Sequence, residues 1–184
     1  MIIEFLRSVI AIFTAGAAVG APESSKPSKP PAEVMRELRL QWLERKPTAH
    51  SQTDGTTISA VVMDWPLGEQ TVTVLASAEG DASVYTTGSF GILGGIGHEN
   101  ARKAAHALID CAKTHLALSS PTADFSYPRR GQIRFFFVTG SGVRTVSFTD
   151  LDVQKNGTDA YDLYAHAQAV LTEMRQIVQK QRGR

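Results

Sequence analysis

The sequence predicts an α+β domain: an antiparallel sheet of about five strands with helices packed mainly on one face, in the order helix, three strands, helix, two strands, helix. Two observations predict it. Three segments place apolar residues at helical spacing, and five segments rich in β-branched or aromatic residues are joined by hairpin-length turns. A third bounds it: 184 residues, 42% hydrophobic and 20% charged, suffice for one domain and exclude wholesale disorder.

The chain opens on an apolar run. Residues 1–21 hold 15 hydrophobic residues and only two charges, Glu4 and Arg7. A membrane-spanning helix needs about 20 consecutive apolar residues, so this run reads as a signal peptide or a hydrophobic anchor. The small residues that follow its core favour export, to the periplasm or beyond. The alternative is a cytoplasmic chain held at a membrane surface through residues 1–13, where Ile2, Ile3, Phe5, Leu6, Val9, Ile10 and Phe13 give broad apolar cover. Residues 22–31, with four prolines and no aliphatic side chain, read as an extended tether. The remaining 32–182 make one α+β domain.

Pro31 suits the first turn of a helix that runs to about Lys46 and is closed by Pro47. Val34, Leu38 and Trp42 form its stripe, widened by Met35 and Leu43, with Arg36, Glu37, Arg39, Glu44 and Arg45 facing outward. Residues 48–56 are polar and read as a loop. Strands follow over 57–64, 71–77 and 82–87, separated by turns at 66–69 and 79–81. A glycine-dense stretch, 88–97, leads to a helix over 98–116 with Ala101, Ala104, Ala105, Leu108, Cys111, Ala112 and Leu116 on one side. Residues 132–139 and 143–149 flank Gly140-Ser141-Gly142 as a hairpin. Asn156-Gly157-Thr158 matches a glycosylation acceptor but reads foremost as a turn and N-cap. It opens a helix to about Gln179, with Leu163, Tyr164, Ala167, Val170, Leu171, Met174, Ile177 and Val178 buried.

The chemistry legible in the residues is sparse. A net charge of +1 argues against a dedicated nucleic-acid binder, and the single cysteine, Cys111, excludes an intramolecular disulfide or a cysteine metal cluster. The glycine run is the one candidate ligand site: Gly94, Gly95 and Gly97 lead into His98 and Glu99 at a helix start, where backbone N–H groups suit an anion. It lacks the Gly-Lys-Ser/Thr ending of a P-loop and the third glycine of a dinucleotide site. His98-Glu99 begins like a zinc-protease helix, but Arg102 stands where the second histidine belongs. Cys111 and His115, four apart on one helix, read as a buried thiol beside a surface histidine. No catalytic residue, metal or cofactor is assigned. Phe135, Phe136 and Phe137 in succession make both faces of their strand apolar. The second face, carrying Phe136 and Val138, then needs a cover, either the Trp42 helix or another chain, and is the candidate interaction surface.

Several of these segments, namely Val62-Met63-Asp64, Gly80 to Tyr85, the run ending Gly97-His98-Glu99, Gly131 to Phe135 and Gly142 to Thr145, together resemble a family of bacterial proteins of unassigned function, over 58–174. That resemblance implies no activity. The element order is also similar to Roadblock/profilin-like modules, which dimerise or bind partners through a sheet with helices around it; the long glycine run and the tether depart from that pattern. The sequence thus points to a non-catalytic interaction module behind a signal or anchor, with a second copy or another protein as partner. The alternative is a small-molecule or anion-binding protein, an enzyme included, that uses the glycine turn.

Overall fold

The computed structural model describes residues 29–45 and 56–182. The expectations for 1–21, for most of the tether and for the loop at 48–55 lie outside them. Helix α1 (Pro31–Leu43) precedes strands β1 (Ile58–Leu67), β2 (Gln70–Ser77), β3 (Ala82–Thr86) and β4 (Gly91–Ile92). A 3-10 turn at Gly95–Gly97 leads into α2 (Glu99–His115), which is followed by β5 (Ser120–Pro121), β6 (Gln132–Thr139), β7 (Gly142–Thr149) and α3 (Asp159–Arg182). The fold is α+β, with one antiparallel sheet in the order β4-β3-β2-β1-β6-β7-β5. Among the described residues the sheet has seven strands rather than five. The two extra strands, β4 in the glycine run and β5 shortly after α2, are two residues long and too short to carry a period of their own.

Each element has a local cause. Pro31 opens α1 at the position where its missing N–H costs nothing, and the helix ends where the Glu44 N–H bonds Leu40 O. β1 runs three residues past the expected end, through Pro66 to Leu67. Pro66 lies opposite Thr71, whose N–H and C=O turn away from it to bond Thr87 on the other side. No ladder bond is therefore asked of the proline. α3 starts as expected: the Thr158 hydroxyl accepts the Tyr161 N–H at 3.3 Å.

Alternation along the strands divides the core in two. On one face Val61, Met63, Trp65, Phe135 and Phe137 pack beneath α2 and α3, whose buried stripes run Ala101–Ala105–Leu108–Ala112 and Leu163–Ala167–Val170–Leu171–Met174. On the other, Ala60, Val62, Leu75, Tyr85, Phe136 and Val138 meet Met35, Leu38, Trp42 and Leu43 of α1, together with Phe125. A bulge between Ile58 and Ala60 shifts the parity, which is why Ile58 joins the first face and Ala60 the second. The Trp42 helix is thus the cover that the phenylalanine strand requires.

Candidate functional site

One transverse row of the second face carries a buried carboxylate. Asp64 on β1 stands beside Thr73 on β2 and Arg134 on β6, and Thr73 in turn beside Tyr85 on β3. A carboxylate in that position is 0% exposed. An isolated buried charge is costly, so a cation must come to it. The cation is Arg39 of α1, expected on the helix's outer side. It is instead 2% exposed, because it lies one helical turn from both Met35 and Leu43, on the edge of the apolar stripe.

Each nitrogen of that guanidinium group donates a hydrogen bond. Arg39 Nε donates to Asp64 Oδ1 at 3.1 Å and Oδ2 at 3.0 Å, Nη2 donates to Oδ2, and Nη1 donates to the Phe125 carbonyl at 2.9 Å. Thr73 Oγ1 donates to Asp64 Oδ1 at 2.6 Å. The guanidinium carbon lies 4.3 Å from the Tyr127 ring centre and 5.4 Å from that of Phe136, so two aromatic faces border the charge. Burial is the largest influence on the Asp64 carboxyl and pushes it above the ordinary carboxylate range, while the Arg39 and Thr73 bonds pull the other way. Burial likewise raises the Tyr127 phenol. Beside the cluster runs an open groove of about 720 Å³, lined by Arg36, Arg39, Leu40, Phe125 and Tyr127. The arrangement is an arginine socket, in which the Arg39 guanidinium group and the Asp64 carboxylate hold each other in place.

The expected interaction residues sit directly beneath this helix. Phe136 is 0% and Val138 4% exposed, so among the described residues their face is occupied by α1 rather than open.

The glycine turn has a packing cause. Gly94 takes φ +82°, and a Cβ on Gly95 would lie 2.7 Å from both the Ala82 carbonyl and Met174 Sδ. Two of its N–H groups are spent internally, Gly97 N–H on Gly94 O and His98 N–H on Gly95 O; burial pushes the nearby Asp81 carboxyl up, and the Ala82 and Ile96 backbone pulls it back. The chain's own carboxylate thus stands at the turn. His98 is exposed at the α2 N-cap without a side-chain cap bond, and Glu99 pairs with Lys103 at 2.6 Å, which lowers its carboxyl. Gly97, His98 and Glu99 line a shallow cleft of about 420 Å³ against Gln176, Ile177 and Lys180 of α3.

The fold also gives the Cys111–His115 pair a third member. Cys111 Sγ lies 3.7 Å from His115 Nδ1, and His115 Nε2 lies 3.0 Å from Asp159 Oδ1 in the first turn of α3. The order thiol, imidazole, carboxylate has the form of a nucleophilic triad. Its chemistry runs the other way. His115 Nδ1 also faces the Cys111 carbonyl at 2.8 Å, so the nitrogen nearest the thiol is bonded to an acceptor. Burial, then the Asp162 and Asp159 carboxylates, push the thiol up to about 11. The pair joins the end of α2 to the start of α3. Among the described residues no group of three or more His, Cys, Asp or Glu is placed to hold a metal ion, and no helix is long and apolar enough to cross a membrane.

Arg39, Asp64, Thr73 and Tyr127 were not singled out by sequence reasoning. The signal was there: Asp64 interrupts an apolar strand at the same parity as Ala60 and Val62, and a carboxylate on a buried face calls for a cation. Comparison with protein-family models, with curated proteins and with solved structures finds no match to this chain.

Proposed function

We propose that the chain is a non-catalytic interaction module whose recognition surface is the sheet face that α1 occupies, with Phe136 and Val138 at its centre. The observation that carries this reading is how that face is covered. One helix of 13 residues, seated by a single charged anchor, lies on it, whereas the opposite face lies under helices of 17 and 24 residues. A short amphipathic helix in an apolar groove is also the form in which such faces take partner helices. α1 stands where a partner helix would lie. Asp64, Tyr127 and the Phe125 carbonyl select one with an arginine at the place of Arg39, since a lysine cannot make the same forked contact. A second copy of the chain carries such a helix, and exchange of α1 between copies yields a two-fold dimer without new contacts. The similarity of element order to Roadblock/profilin-like modules points the same way.

Native-state hydrogen exchange tests this. The α1 amides are expected to open at lower free energy than those of β1 and β6. Exchange of α1 only together with those strands, by global unfolding, means that the face is never presented, and the reading is then wrong.

A further inference from the structure

We propose that Asn156 is a site of spontaneous deamidation, at which the chain converts to an aspartyl or isoaspartyl form without any enzyme. Asn156 and Gly157 are both exposed in the turn ahead of α3. The Gly157 N–H makes no hydrogen bond, and the Asn156 amide has none, among the described residues. Gly157 adopts φ +77° with nothing within 4 Å of the position a Cβ would take, so the residue that supplies the attacking nitrogen is uncrowded. The chain's other asparagine, Asn100, provides the contrast. It lies inside α2, and the residue after it, Ala101, is buried in the core.

The steps balance with water alone. The Gly157 backbone nitrogen loses its proton and bonds to Asn156 Cγ, the Cγ–Nδ2 bond breaks, and ammonia leaves with that proton. Water then opens the five-membered imide at one carbonyl to give aspartate, or at the other to give isoaspartate, in which the main chain runs through Cγ. The isoaspartyl product lengthens the backbone by one methylene between Lys155 and Thr158. Those two residues are bridged by Thr158 Oγ1 donating to the Lys155 carbonyl at 2.8 Å, and the same hydroxyl caps α3. Conversion therefore loosens the α3 cap, one residue from the Asp159 that meets His115.

The full-length chain, incubated in mildly alkaline buffer and followed by intact mass and peptide mapping, tests this. The expected result is a one-dalton gain confined to the peptide holding Asn156, split into two chromatographic products, with Asn100 unchanged and faster amide exchange at Tyr161. Asn156→Gln is expected to remove the gain. A synthetic peptide spanning residues 153–160 serves as reference. If it converts while the folded chain keeps Asn156 intact over the same time, the fold protects the site and the proposal is overturned.

Discussion

Arg39 and Asp64 meet as a buried, forked ion pair between α1 and β1, 2% and 0% exposed, and their bonds tie the helix to the sheet. Removing one partner strands the other in an apolar layer. Arg39→Ala is expected to cost about 3–5 kcal/mol, and Arg39→Lys nearly as much. The double variant Arg39→Met with Asp64→Leu is expected to lie closer to the natural chain than either single change. Urea unfolding with a common m-value measures all of these. Additive losses in the double variant would show that the pair does not act as a unit.

Phe136 and Leu151 separate the covered face from ordinary surface. Phe136→Ala empties a fully buried ring site under α1 and is expected to cost about 3–5 kcal/mol. Leu151 is 71% exposed, so Leu151→Ala is expected to stay within about 0.5 kcal/mol of the natural chain. Thermal or chemical unfolding reads both.

The glycine turn yields a paired test. A Cβ at Gly95 meets the Ala82 carbonyl at 2.7 Å, and backbone cannot move aside cheaply. Gly95→Ala is therefore expected to destabilise by about 1–3 kcal/mol. Gly97 has nothing within 4 Å and no positive φ, so Gly97→Ala is expected to be neutral or to stabilise by up to about 1 kcal/mol. Equal losses at both positions would refute packing as the reason for glycine here.

Cys111 sets a pH signature. Its thiol is raised from 9.0 to about 11, so the folded chain holds that proton more tightly than the unfolded one. The resulting stability is fully present below pH 9 and is lost as the pH rises through about 11. Labelling by a disulfide reagent is expected to be slow at neutral pH and to accelerate toward that value, and Cys111→Ala is expected to reduce the alkaline loss of stability. Rapid labelling at neutral pH would contradict the environment described for the thiol.

Much of the candidate site was legible only in part. Helical and alternating periods located α1, β1, β2, β3, α2, β6, β7 and α3, because burial against a neighbour imposes those periods on the residues themselves. Asp64 was visible as an interruption of an apolar strand, but its partner lies 25 positions earlier on a helix whose charges all looked solvent-facing. Asp159 likewise reaches His115 only because α2 and α3 pack side by side on one face.

The order of the longer elements, the antiparallel character of the sheet and the need for a second cover over Phe136 were determined by the sequence alone, since each follows from residues within a few positions of one another. Which way Arg39 points, which carboxylate it meets and why Gly95 tolerates no side chain were decided by the tertiary structure. Those outcomes depend on surfaces brought together from distant parts of the chain. A charge goes inside only where another element has already placed its counter-charge, and local pattern carries no record of that.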